Sequence, residues 1–495
     1  MKTPLNLFGL LLPFFFLVFS AFTNERSSLE RELRKLERDP GMNHATWGFY
    51  AVDVQNNRVV AARNENQLLV PASTLKVLTT ASAIKMLGSD FRFETKLAHT
   101  GYIDSLGNLT GDLVILGSGD PSFMSTFLHD SLSQTRVLEN WLAVLKHAGI
   151  KHIAGRVFAD ESVFDNELIP RKWLWEDMGN FFGAGASGLT VNENMYTVFF
   201  QPGDTIGQPA KVVGTNPVVS GMDFLNQVNT GPRNSGDQVY IFGAPYQMQR
   251  TLKGTVPLGS NNFPVRGSIP DPPMFVAEIL SEFLKFNGIL QNNLPVSVRT
   301  ASLQGLSRGE ITGVFTTWYS PMMAALAARA NLHSVNTYTE NMVKAIGAHL
   351  KGQGTTIAGI DTIIGFWKGQ GVSVDGMFLF DGSGLAPSNR VTVKQLTQVL
   401  SLMANDPNFE QYQSGFPLAG RSGSIATQFI GTPSEGLLRA KSGTLTNVRG
   451  FAGYTRTDDG RLLAFVIIVN HFQGTSAALR THLINIMDAV TRYNQ

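Results

Sequence analysis

The sequence predicts an α/β (α+β) protein in which one mixed domain, made of two separated pieces, is interrupted by a long, mainly β insertion. Three observations carry that expectation. At 495 residues the chain exceeds what one ordinary core accommodates, so two or three domains are expected. Strand-like runs stand near both ends, with helical runs between them and a helix closing the chain. From about residue 91 to residue 297 the texture changes to short strand-like runs punctuated by Gly, Pro and Asn. The main domain is then 23–90 with 298–495, and the insertion of one or two mainly β domains is 91–297.

Residues 1–22 read as an export signal. Met1-Lys2 precedes a charge-free stretch from Thr3 to Asn24 with an apolar centre from Leu5 to Phe19, and Val18-Phe19-Ser20 resembles a signal-peptidase site. An uncleaved anchor is the alternative, because Phe14-Phe15-Phe16 makes the centre unusually apolar. A peripheral contact with the membrane would follow from it. Ser27-Ser28-Leu29-Glu30 is a capping box opening a helix with Leu29, Leu33 and Leu36 on one face, ended by Pro40-Gly41. Thr46 to Val54 and Arg58 to Ala62 read as strands joined by a turn at Gln55-Asn56-Asn57. Behind Pro71 a helix is expected from Ser73 to Met86.

Within the insertion, Asp112 to Leu116 and Gln238 to Phe242 read as strands, and Pro272-Pro273 introduces a helix from Met274 to Phe286. After Trp318 helices return at Pro321 to Ala330, Thr337 to Lys351 and Val391 to Asn405. Arg449 to Arg456 and the very apolar Leu462 to Val469 flank a turn at Asp458-Asp459-Gly460, and a helix from Ser476 to Tyr493 ends the chain.

Composition excludes several function classes. A formal net charge of +2 argues against a nucleic-acid partner. With no cysteine, a disulfide framework, a cysteine nucleophile and a lipidated cysteine after the leader are all ruled out. The nine histidines show no His-x-x-x-His or His-x-x-Glu-His spacing, so no metal centre is expected, and no motif asks for a cofactor.

Three short polar signatures remain, in one order: Ser73-Thr74-Leu75-Lys76, Ser334-Val335-Asn336 and Lys441-Ser442-Gly443-Thr444. Each has a decoy. Ser82-Ala83-Ile84-Lys85 repeats the first pattern, but Ser82 stands nine positions beyond Ser73, which at about 100° per residue puts it on the opposite helix face. Ser73 and Lys76 are one turn apart on one face, so the amine reaches the hydroxyl. A serine hydroxyl needs such a base to become a nucleophile. Lysine serves when uncharged, and burial or a second cation, here Lys441, favours that state.

Ser334 is placed to relay a proton to a leaving nitrogen and Asn336 to hold a substrate amide oxygen; the bland alternative makes Asn336 a helix cap. Thr339-Glu340-Asn341 is its decoy, inside the helical run. Lys441-Ser442-Gly443-Thr444 leads into a strand pair, where a residue without a side chain lets an extended peptide approach. Its decoy, Arg421-Ser422-Gly423-Ser424, has no comparable strand pair behind it.

On these residues the chain resembles the low-molecular-mass class C penicillin-binding proteins, the D-alanyl-D-alanine carboxypeptidase/endopeptidase family. Pro71-Ala72-Ser73-Thr74-Leu75-Lys76 is similar to the nucleophile motif, Ser334-Val335-Asn336-Thr337-Tyr338-Thr339-Glu340 to the second and Ala440-Lys441-Ser442-Gly443-Thr444-Leu445 to the third. Gly117-Ser118-Gly119-Asp120-Pro121 and Asp381-Gly382-Ser383-Gly384-Leu385 match as well. The likeness covers nearly the whole mature chain.

It implies a penicillin-recognising, serine transpeptidase/β-lactamase-like domain with the insertion between the first and second motifs, located in the periplasm. It also implies cleavage of the D-Ala-D-Ala ends of peptidoglycan stem peptides, of crosslinks in some members, and covalent inhibition by β-lactams. Ser73 would be the nucleophile, Lys76 its base and Ser334 the proton relay. Asn336, Lys441, Ser442, Gly443 and Thr444 would bind substrate.

The segment Trp173-Leu174-Trp175-Glu176-Asp177 through Phe182 resembles the part of relatives that approaches the substrate side chain. There Asp177 would bind a diaminopimelate ammonium with Phe182 packed beside it. The alternative is an acidic surface loop over buried tryptophans. Two departures stand out: Ser442 where threonine is commoner, and Pro387-Ser388 in place of an arginine found in some relatives. Two alternatives stand beside this reading: a serine β-lactamase using the same residues, and a non-catalytic cell-wall-binding or β-lactam-sensing protein on the same fold, which would be expected to lack Ser73 or Lys76.

Overall fold

Leu462–Asn470 is buried along its whole length, as a strand covered on both faces must be. It is the centre of a five-stranded antiparallel sheet in the order Arg439–Leu445, Val448–Arg456, Leu462–Asn470, Thr46–Asp53, Arg58–Arg63. Segments from the two ends of the sequence thus share one sheet, with Phe49 opposite Ile467. The computed structural model describes residues 28–128 and 133–493; the expected export signal at 1–22 and Ser27 of the capping box lie outside them.

One face of this sheet packs on the helix over residues 28–37 and on the closing helix Ser476–Thr491. Leu29, Leu33 and Leu36 join Phe49, Phe465, Ile467, Leu483 and Ile486 in one core. The expected leucine stripe is therefore the buried face of that first helix. On the opposite face Gly48 meets the helix Val393–Ala404, where an added Cβ would stand 3.1 Å from Val393 Cγ2. These elements form one compact unit, made of the described residues up to Val77 together with those from Arg390 on.

The second unit, Leu78–Asn389, is organised by a mixed sheet in the order Val296–Ser297, Val157–Asp160, Leu113–Leu116, Glu94–His99, Gly313–Tyr319. The first two pairings are parallel and the last two antiparallel. Three smaller three-stranded sheets accompany it, including Asp223–Gly231 with Gln249–Pro257 and Tyr240–Phe242, and Phe263–Ser268 with Met195–Gln201 and Lys211–Asn216. Its core gathers Leu113, Ile115, Trp141, Val276 and Leu280.

The helix at Pro272–Phe286 was expected; Gln134–His147 and Thr356–Gly369 were not. Gln134–His147 buries Val137, Leu138, Trp141 and Leu145 at helical spacing, capped by Ser133, whose hydroxyl accepts from the Arg136 N–H. Among the described residues no helix is long and apolar enough to cross a membrane, and no cluster of side chains is suited to a metal ion.

Candidate active site

In the first unit the nucleophile signature departs from a simple helix start. Ala72–Leu75 forms a 3-10 turn, and the α-helix Lys76–Leu87 begins only at the lysine. Ala72 holds φ +47° although it is not glycine, a left-handed conformation that costs of order 1–3 kcal/mol and persists only where the surroundings enforce it. Thr74 helps: its hydroxyl donates to the Pro71 carbonyl at 2.6 Å. The turn leaves Ser73 half-buried while Lys76 is wholly buried, with its Nζ 3.2 Å from the Ser73 Oγ.

Lys441 is also wholly buried, on the strand Arg439–Leu445, and its Nζ donates to the Ser442 carbonyl at 2.6 Å. Burial, followed by the positive charge of Lys76, pushes the Lys441 amine well below the usual lysine range. The two lysines therefore stand close enough to repel each other's protons.

Gly443 explains how strand and nucleophile turn come together. A Cβ there would lie 2.9 Å from the Pro71 carbonyl oxygen and 3.0 Å from the Thr74 nitrogen. The turn Ala72–Leu75 packs directly against this glycine. Ser442 and Ser424 share a hydrogen bond between their hydroxyls at 2.8 Å, so the segment taken for a decoy supplies a partner to the third signature. Thr444 is exposed and its hydroxyl accepts from the Arg449 guanidinium. The sequence gives neither Ser424 nor Arg449 a role at the site.

In the second unit Ser334 is half-buried and adopts φ +59°, another strained non-glycine position beside a motif. Asn336 is the first residue of the helix Asn336–Lys351 and does not cap it; Val335 occupies the cap position. Its side chain looks elsewhere, the Nδ2 donating to the Phe182 carbonyl at 2.7 Å. Thr337 repeats this link one residue on, donating to the Ala184 carbonyl at 3.0 Å. The second signature and the loop bearing Asp177 and Phe182 are thus tied directly.

Asp177 is buried, and that burial, with the charge of Glu176, raises its carboxyl to about 6. No cation pairs with it among the described residues. Trp173 is buried and its indole N–H donates to Asp381 at 2.8 Å, whereas Trp175 is exposed.

Two decoys take structural roles. Ser82 donates to the Leu78 carbonyl and accepts from the Trp367 indole. Glu340 accepts from the Gly382 and Ser383 N–H groups, and Asn341 donates to the Gly119 carbonyl. Glu340 and Asn341 hold the two glycine-rich segments that the sequence singled out. The first unit therefore contains Ser73, Lys76, Lys441, Ser442, Gly443 and Thr444, and the second contains Ser334, Asn336, Asp177 and Phe182.

Residues 29–492 match the D-Ala-D-Ala carboxypeptidase 3 (S13) family. The chain belongs to that family. It is a low-molecular-mass class C penicillin-binding protein and a serine peptidase by membership. It is similar to a D-alanyl-D-alanine carboxypeptidase of an Actinomadura species, 27% identical over 484 residues, covering 90% of this chain and 82% of that one. D-alanyl-D-alanine carboxypeptidase DacB of Haemophilus influenzae is 26% identical over 434 residues, covering 86% and 85%. The fold matches the crystal structure of penicillin binding protein 4 from Haemophilus influenzae with a TM-score of 0.77 at 23% identity, over 94% of this chain and 99% of that one.

Replacing Gly443 by Ala tests the close approach of strand and turn. Overpacking is expected to cost about 1–3 kcal/mol of stability, measured by urea unfolding. Displacing the turn is expected to slow reaction of the protein with a penicillin about a hundredfold, read by stopped-flow mixing.

Proposed function

We propose that the chain is an exported, periplasmic serine D,D-peptidase that cleaves the bond between the two terminal D-alanines of peptidoglycan stem peptides. Crosslinks ending in the same acyl-D-alanine unit are attacked by the same chemistry. Its catalytic domain comprises 23–90 and 298–495 around an insertion at 91–297, and residues 1–22 direct export. The observation that carries the reading is the Ser73 hydroxyl 3.2 Å from a buried amine that stands beside a second buried amine.

In this reading Ser73 Oγ attacks the carbonyl of the penultimate D-alanine, and uncharged Lys76 takes its proton. The backbone N–H groups of Ser73 and Thr444 hold the oxyanion, each such donor contributing about 2.7–4 kcal/mol in comparable sites. The peptide bond breaks as Ser334 passes a proton to the departing amine. Lys441, Ser442 and Thr444 bind the carboxylate of that D-alanine, with Gly443 keeping the strand close, and Asn336 orients the acyl side. Water then hydrolyses the ester. β-Lactams, a strained amide beside a carboxylate, acylate Ser73 by the same steps.

Asp177, an anion buried without a cation, fits the ammonium of a diaminopimelate side chain, with Phe182 covering its methylene groups.

Purified muropeptides incubated with the protein are expected to lose D-alanine, and crosslinked dimers to yield monomers; Ser73→Ala is expected to do neither. Mass spectrometry after penicillin treatment is expected to find the adduct on Ser73, and an adduct elsewhere would overturn the assignment. Because its carboxyl is raised, Asp177 is an anion above about pH 6 and loses its charge below it. KM for a substrate carrying the free ammonium should therefore climb as pH falls through 6, and Asp177→Asn should show a high KM without that pH dependence.

A further inference from the structure

Ser334 stands in the short corner between the helices Met323–Leu332 and Asn336–Lys351. Its φ of +59° is left-handed, a state that a non-glycine residue keeps only where its surroundings enforce it. Glu193 grips both helices. Its carboxylate accepts a forked pair of hydrogen bonds from Arg329 of the first helix, Nε to Oε1 at 3.1 Å and Nη2 to Oε2 at 3.2 Å. The Tyr338 hydroxyl of the second helix donates to the same Oε1 at 2.8 Å. Arg329 precedes Ser334 by five positions and Tyr338 follows it by four, so one carboxylate ties the chain on either side of the corner.

Glu193 and Tyr338 are wholly buried, and Arg329 nearly so, with its guanidinium 4.6 Å from the centre of the Phe127 ring. Away from water, charge-assisted hydrogen bonds of this kind hold their geometry firmly. Burial, followed by the charge of Glu193, keeps the Tyr338 phenol protonated and therefore a donor.

The carboxylate is placed at the cost of backbone strain. Asn192, Glu193 and Asn194 are successive left-handed residues, at φ +48°, +55° and +55°. Asparagine is enriched in that conformation and glutamate is not. Two asparagine side chains hold the run: Asn192 Nδ2 donates to the Met195 carbonyl at 2.9 Å, and Asn194 Oδ1 accepts from the Val191 N–H at 3.0 Å. Asn194 Nδ2 also donates to the Gly185 carbonyl at 2.8 Å, next to the Ala184 carbonyl that accepts from Thr337. Core packing alone would be served by an apolar residue here, with no buried charge to satisfy.

We propose that Glu193 is a positioning residue for proton delivery: by clamping the helices on both sides of Ser334, it fixes the corner from which that hydroxyl serves the departing nitrogen. This role rests on the proposed reaction, in which Ser334 is the relay. There the C–N bond breaks as the nitrogen takes the Ser334 proton, and the proton removed from Ser73 replaces it. An amine departs only with that proton, because its anion is far too basic to leave. A thiolate, whose conjugate acid has a pKa of about 8.5, departs without it.

The test is the ratio of kcat/KM for an acyl-D-alanyl-D-alanine peptide to that for the thioester carrying sulfur in place of the final nitrogen. Loss of folded protein lowers both rates alike and leaves the ratio where it was, so a merely structural role does not move it. Glu193→Gln is expected to slow peptide cleavage about ten- to a hundredfold and to leave thioester cleavage nearly unchanged. Ser334→Ala gives the full size of the effect. Should Glu193→Gln fail to fold, Tyr338→Phe, which removes one hydroxyl and keeps the ion pair, is read in its place, with a smaller fall of the same kind. A ratio equal to that of the unaltered protein, whatever the absolute rates, would overturn the role of Glu193 alone. An unaltered protein that cleaves neither substrate, or Ser334→Ala with an unshifted ratio, would overturn the proposed reaction and this role with it.

Discussion

The repulsion between two buried amines is the constraint on which this site rests. Lys76 and Lys441 are both wholly buried, and the Lys441 proton is disfavoured first by burial and then by Lys76. In the proposed reaction an amine of this pair that has lost its proton takes one from serine. Histidine, the commoner choice for that task, is absent from the three signatures.

Bringing the amines together needs backbone work on both sides. The turn Ala72–Leu75 accepts a left-handed alanine, and Gly443 gives up a side chain so that the Pro71 carbonyl and the Thr74 nitrogen can press against its strand. That strand is held in register by Val448–Arg456, Lys441 opposite Ala452. In the second unit the corresponding effort goes into Ser334, also left-handed, and into the hydrogen bonds from Asn336 and Thr337 to the loop at Phe182–Ala184. Ala72 and Ser334 are two of fifteen non-glycine residues at positive φ among the described residues, so such strain occurs at two of the signatures without being confined to them.

Much of this was legible in the sequence because helical and strand periodicities are local. The spacing of Ser73 and Lys76, the rejection of Ser82 and the apolar strand Leu462–Asn470 all follow from geometry within a few residues. What escaped depends on contacts between distant segments. Asn336 looks like a cap until the Phe182 carbonyl claims its amide. Ser424 sits in a segment with no strand pair behind it, and only tertiary structure brings its hydroxyl to Ser442. The helix Gln134–His147 carries Val137, Leu138, Trp141 and Leu145 at helical spacing, but it stands inside a stretch whose Gly-, Pro- and Asn-broken texture reads as mainly β.

The most direct test of the repulsion between the two amines is the pH dependence of the rate at which a penicillin acylates the protein, compared between the unaltered protein and Lys441→Met. Removing the second amine removes the repulsion that favours an uncharged Lys76, so the acid limb of the profile should move to higher pH. A loss of carboxylate binding alone would lower the rate at every pH and leave the limb where it was. Coincident limbs would contradict the account.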